Sequence, residues 1–309
     1  MFASLRALLT GIIDYAGLFP PAKLTLDQAI RNYARYRREA EAWMLGRFIV
    51  PAARLDELEP YHDELFRFNP PFAFSVLGRG GATLPEFLAN LRADLHDIAA
   101  FRKRHGDRVI VDVMEVRPPP DLADPRLPES AESLYKTVRV FPAIDLLVFF
   151  EPPGPAAALL EQLGRLPCDD VGFKLRCGGL EASAFPSSSQ IAEALCGSLD
   201  AGVPFKATAG LHHPLPRFDA GVNARMHGFL NVFLAGVLAH AHELTAEQIR
   251  PILDDDQASH FSFDDKRASW RTLRATTKAI TTARQDFVLS FGSCSFDEPR
   301  EDLRALGWL

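Results

Sequence analysis

Asp170-Val171-Gly172-Phe173-Lys174-Leu175-Arg176-Cys177-Gly178-Gly179 reads as a buried strand that runs into a glycine-rich turn. Lys174 and Arg176 stand two residues apart, so on a strand both project to one face. One helix later the pattern returns in Val203-Pro204-Phe205-Lys206-Ala207-Thr208-Ala209-Gly210-Leu211-His212-His213. Two lysines, each near the end of an apolar strand and each followed by glycine, do not fit a solvated surface. They imply strands that carry chemistry at their carboxyl ends.

Working outward from this pair, the same unit recurs along the chain. Strands are expected over residues 11–18, 45–51, 72–77, 108–116 and 145–151 before the two lysine strands, and over 287–292 after them. Helices lie between them. Thr25 with Gln28, Thr83 with Glu86 and Ser187 with Gln190 have the spacing of capping boxes. Helical patterns cover 54–65, 131–138 and 156–163, and Gly202 is placed to end the helix that Ser187 opens. Residues 214–285 break the rhythm, with about three helices and no convincing strand. Their most apolar run, Gly228 to Ala239, falls short of the ~20 residues that a bilayer requires and reads as a buried helix.

Continuous apolar strands separated by amphipathic helices indicate a parallel sheet covered on both faces. Right-handed crossovers and a count of eight favour closure as a (β/α)8 TIM barrel with a helical insertion between strands 7 and 8. An open doubly wound sheet is the competitor, but Ala16-Gly17-Leu18-Phe19-Pro20 is no dinucleotide fingerprint. The expected organisation is one domain over 1–309, with 214–285 as a lid or an oligomer surface.

Composition narrows the partners. The formal net charge of -6 gives no global attraction to nucleic acid or to anionic membrane, so neither is expected. Cys168, Cys177, Cys196 and Cys294 are scattered without a CxxC pair, which fits free thiols in a reducing compartment and a cytoplasmic location. The apolar N-terminus carries Asp14 within its run and reads as part of the fold. A small-molecule substrate is the expected partner, and a homo-oligomer is allowed.

In a barrel, chemistry sits at the carboxyl ends of the strands. Polar candidates there are Asp14, Arg47, Ser75, Asp112, Glu115, Glu151, Lys174, Arg176, Lys206, Thr208, His212, His213, Ser293 and Ser295. Arg47 and Glu151 could pair across the barrel mouth, and Ser75 reads as filler. Burial disfavours an ammonium, and a neighbouring cation pushes the same way. A lysine so depressed attacks carbonyls and forms a Schiff base. The competing reading is that Lys174, Arg176 and Lys206 bind an anion without reacting. Gly178, Gly210 and Gly292 would let backbone N–H groups approach a ligand closely. A third reading is a metal-dependent lyase or hydrolase in which His212 or His213 joins Glu115, Glu151 or Asp14. No metal and no cofactor belongs to the favoured reading.

In order, Ile12-Ile13-Asp14-Tyr15, Phe48 to Arg54, Val111-Asp112-Val113-Met114, Phe149-Phe150-Glu151, Phe173-Lys174 with Gly178, Phe205 to Gly210, and Phe291 to Ser295 resemble strand ends of deoxyribose-phosphate aldolase, a class I aldolase. The resemblance implies a barrel and a lyase reaction through an imine at Lys174. Lys206 would lower the pKa of Lys174 and relay protons, and Asp112 would be the acid–base partner. Glu115 competes for that role, because three residues along a strand it faces the other side. Arg176 and the two histidines depart from the family pattern, and Arg176 with His212 would then read a second anionic group on the substrate.

Overall fold

The structure is a computed structural model that describes residues 1–67, 69–123, 145–152, 154, 156–166 and 170–309. The expected helix at 131–138 and Cys168 lie outside the described residues. Strands are β1 (Ile13–Tyr15), β2 (Leu45–Pro51), β3 (Phe72–Leu77), β4 (Val109–Val116), β5 (Leu147–Phe150), β6 (Val171–Arg176), β7 (Phe205–Thr208), β8 (Arg217–Asp219), β9 (Ala224–Met226), β10 (Phe261–Phe263), β11 (Arg267–Trp270), β12 (Leu273–Thr276) and β13 (Val288–Ser293). Eight of them close into a parallel barrel in the order β1-β13-β7-β6-β5-β4-β3-β2. The expected TIM-barrel class is therefore met, with residues between β7 and β13 as the insertion.

By contact density the chain forms two compact units, Arg47–Lys174 and Met1–Gly46 with Leu175–Leu309. In the first, the helix-side face of β3 is aromatic. Phe74 meets Phe101 edge-on at 5.4 Å, and Phe66 packs on Phe72 at 5.0 Å. Phe101 belongs to the long helix Leu84–His105. Thr83 caps that helix by accepting from the Glu86 amide, but the Glu86 carboxylate turns to the amide of Ala82, so the expected capping box is half formed. Residues 54–65 are not an α-helix. A 3-10 helix covers Ala52–Tyr61, with Pro60 inside it, where an α-helical interior would lose a hydrogen bond.

Strand β4 carries an irregularity that decides which residues face inward. Phe74 is level with Val111, yet the next residue, Ser75, is level with Val113. Asp112 is thus an extra residue, a β-bulge, and alternation reverses across it. Val109 and Val111 share the helix side with Phe72 and Phe74, whereas Val113 and Glu115 share the interior side with Ser75.

In the second unit, helices begin at Ala3, Leu26 and Ser188, the latter two with the capping boxes read from Thr25-Gln28 and Ser187-Gln190. Gly202 follows the third at a φ of +65°. The helix Phe229–His242 is buried from Phe229 to Ala239, as its composition requires. Phe229 and Phe233 lie against Phe291 of β13 at 5.2 and 5.8 Å. Helices Ala246–Asp254 and Thr277–Asp286 complete the three expected in 214–285. The absence of strands expected there is corrected: β8 pairs with β9, and β10, β11 and β12 form an antiparallel meander. These strands are three or four residues long, and Asn223 and Arg271 take positive φ in the turns after β8 and β11. Runs that short carry no readable periodicity, although Gly221 and Asn223 between β8 and β9 are ordinary turn residues. No helix among the described residues is long and apolar enough to cross a membrane.

Candidate active site

Lys174 sits on the interior side of β6, with Gly172 two residues before it. A Cβ on Gly172 would come within 2.5 Å of the Phe149 ring, so glycine there makes room for the aromatic floor beneath the amine. The Lys174 Nζ lies 2.6 Å from Glu115 Oε2 and 2.7 Å from Glu151 Oε2. Lysine and both glutamates expose no more than 3% of their surface. Glu115 accepts a 2.6 Å hydrogen bond from the Ser75 hydroxyl at its other oxygen, Oε1. Glu151 Oε1 accepts from Arg117 Nε at 3.0 Å and from its terminal nitrogen at 2.7 Å.

Burial pushes the Lys174 ammonium down, but the charges of Glu115 and Glu151 and their hydrogen bonds outweigh it and hold the group above the ordinary lysine value. The expected depression by burial and a neighbouring cation is therefore corrected. The amine rests protonated between two carboxylates.

Asp112 and Arg47 come together elsewhere. Arg47 clamps Asp112 with two hydrogen bonds of 2.6 Å, and the bulge places this pair nearer the amino end of β4 than Glu115. Arg47 thus meets Asp112 and not Glu151, and the carboxylate on Lys174 from β4 is Glu115.

The second lysine has its own partners. Lys206 Nζ is 2.5 Å from Asp14 Oδ2, and the Ser290 hydroxyl donates to the same oxygen at 2.7 Å. All three are buried. β13 has a second irregularity: Val288 is level with Phe205 and Phe291 with Ala207, leaving one extra residue in between. Val288 and Phe291 both pack toward the helix Phe229–His242, and Ser290 is turned to the Asp14 side. Arg284, from the preceding helix, is buried as well. It donates to the carbonyls of Val288, Leu289 and Thr10. Burial pulls its guanidinium down to about 9, with Asp14 opposing.

The remaining candidates lie at strand ends. Arg176 is exposed at the end of β6. The Thr208 carbonyl accepts from the Cys177 amide at 2.8 Å. Gly178 and Gly210 pack back to back, and a Cβ on Gly178 would lie 2.7 Å from the Gly210 Cα. Close packing of two turns thus already demands glycine at both. Gly292 is level with Asp14 and Thr208. Ser293 donates to the Ser295 carbonyl at 2.7 Å, and Ser295 Oγ accepts from the Glu298 amide at 3.1 Å, so these hydroxyls order the start of the helix Asp297–Ala305.

That helix also holds the histidines. His212 Nδ1 is 3.1 Å from Glu298 Oε2, and the contact keeps the Glu298 carboxylate below its ordinary range. His213 Nδ1 is 2.5 Å from Asp302 Oδ2. The carboxylates expected to join them, Asp14, Glu115 and Glu151, are on the lysines instead. Among the described residues no group of three or more His, Cys, Asp or Glu side chains is arranged to hold a metal ion.

Sequence reasoning missed Arg117, Ser290, Glu298 and Asp302. Arg117 directly follows a strand and precedes three prolines, which was a usable signal. Ser290 depended on an irregularity that no pattern announces.

No protein-family model matches the chain, and no curated protein matches it. Among solved structures it is similar to the TTHB071 protein from Thermus thermophilus, in a structure obtained by soaking with ZnCl2, at 14% sequence identity over 96% of each chain and a TM-score of 0.46. A likeness of that size carries no argument about function. The eight-stranded parallel barrel agrees with the fold implied by the aldolase resemblance, and no aldolase family is identified.

Proposed function

We propose that this barrel is a lyase of the Schiff-base type, in which Lys174 condenses with the carbonyl of a small anionic oxo compound. The supporting observation is the buried Lys174 ammonium with two carboxylates 2.6 and 2.7 Å away. A protonated amine is no nucleophile, and a carboxylate in hydrogen-bond contact can take its proton as a carbonyl arrives. Burial excludes the water that would hydrolyse the imine. Lys206, held by Asp14, is read as a fixed cation near the end of its strand. Arg176, two residues beyond Lys174 on β6, is assigned to the acidic group of the substrate.

Borohydride reduction in the presence of small aldehydes and 2-oxo acids, followed by peptide mass mapping, tests this directly. The expected result is a reduced adduct on the peptide that contains Lys174, absent from Lys174→Met. An adduct on another lysine, or none with any carbonyl compound, overturns the assignment. One observation favours a second reading: Lys174 is held charged, which suits a cation that binds an anion without reacting. Tight phosphate or oxo-acid binding by calorimetry, with no reducible adduct, would establish that reading instead.

A further inference from the structure

The two glutamates on Lys174 have different second partners. Glu151 gives its Oε2 to the ammonium and its Oε1 to the guanidinium of Arg117. Glu115 gives its Oε2 to the ammonium and its Oε1 to the hydroxyl of Ser75. A guanidinium does not release its proton in this pH range and stabilises the ionised carboxylate beside it. A hydroxyl orients a carboxylate but adds no net charge. Arg117 is more than half exposed, so it acts on the centre without being part of the buried core.

We propose that Arg117 is a positioning residue that keeps Glu151 as a permanent counter-ion, so that Glu115 is the carboxylate that carries protons to and from Lys174. On the Schiff-base reading above, imine formation runs through Glu115. Glu115 takes a proton from the ammonium, and the Nζ lone pair attacks the carbonyl carbon while the π pair moves to oxygen. Glu115 returns that proton to the oxygen and takes a second one from nitrogen. It then gives this proton to the departing hydroxyl as the C–O bond breaks. Water leaves, the C=N bond forms, and Glu115 ends ionised, as it began. Proton removal from the carbon next to the iminium would use the same oxygen. Throughout, Glu151 with Arg117 stays a neutral pair that needs no proton. Ser75 fixes Oε1, which leaves Oε2 facing the amine.

Two measurements test the division, and the first needs no substrate. The carboxyl carbons of δ-13C-glutamate-labelled protein are titrated by NMR, with Glu115→Gln and Glu151→Gln assigning the two signals. Glu151 is expected to titrate at lower pH than Glu115, and Arg117→Met should move Glu151 upward and leave Glu115 in place. The reverse order, or no movement of Glu151 in Arg117→Met, overturns the proposal whether or not the protein forms imines. The second measurement follows deuterium entering the methyl group of pyruvate in D2O. Glu115→Gln should slow it by about 10²–10⁴-fold, and Glu151→Gln by less than about tenfold. Equal losses overturn the division, whereas no exchange and no borohydride adduct in the unaltered protein overturns the Schiff-base reading alone.

Discussion

Taking away the amine of Lys174 leaves Glu115 and Glu151 buried without their shared cation. Breaking a buried ion pair from one side costs about 3–5 kcal/mol, because the remaining charge has lost its partner. Lys174→Met should therefore destabilise the protein by that order, read as a lower midpoint in urea. The loss should depend on pH from both sides. In the intact protein the lysine is held above its ordinary value, so its stabilising contribution is fully present below the unfolded lysine value, about 10.4, and disappears as pH rises through the folded one. In the variant, acid protonates the carboxylates that have lost the Lys174 cation, Glu115 before the Arg117-held Glu151, and relieves the penalty. The difference between the two proteins should thus be largest near pH 8 and smaller at pH 5 and pH 11. A difference that does not change with pH would mean that Lys174 contributes through packing and not through charge.

At the scale of the element, each lysine centre stands beside a strand with one residue too many. The extra residue at Asp112 turns Glu115 to the interior, and the one in β13 turns Ser290 toward Asp14. Two variants without the Asp112 carboxylate, one keeping the bulge and one lacking it, test whether that side chain takes part in the chemistry. Asp112→Ala keeps the backbone and loses the clamp from Arg47, which should cost about 1.5–3 kcal/mol and leave adduct formation at Lys174 within tenfold. Deleting Asp112 removes the bulge and puts Val113 directly after Val111, still level with Ser75, so Glu115 keeps the interior side and adduct formation should again stay within about tenfold. A fall of about 10²–10⁴-fold in both variants would instead assign the acid–base role to the Asp112 carboxylate.

The same bulges explain what the sequence could and could not tell. The eight barrel strands and most of the helices between them were legible because apolar runs, capping boxes and helix-ending glycines are local signals. Lys174, Lys206, Glu115, Glu151 and Asp14 were legible as strand-end residues for the same reason. The choice between Asp112 and Glu115 was not, since a single inserted residue reverses every side chain after it. The charge state of Lys174 was not either, because it depends on carboxylates supplied by β4 and by the residue that follows β5.

For the whole molecule, the sequence predicts a lid or an oligomer surface over 214–285, yet the parts of that segment have unequal standing. The helix Phe229–His242 lies on β13: Phe229 stacks on Phe291, and a Cβ on Gly236 would run into the Val288 side chain. That helix has the place of a barrel helix. The β8–β9 hairpin, by contrast, presents Phe218 with 61% of its surface exposed. Gly236→Val should force the helix off its strand and cost about 1–3 kcal/mol of overpacking. Phe218→Ser should change stability by no more than about 0.5 kcal/mol in either direction. Urea denaturation of the two variants, with the slope compared as well as the midpoint, distinguishes core from decoration. A Gly236→Val protein as stable as the parent would show that the helix is free to move on β13, as a lid must be.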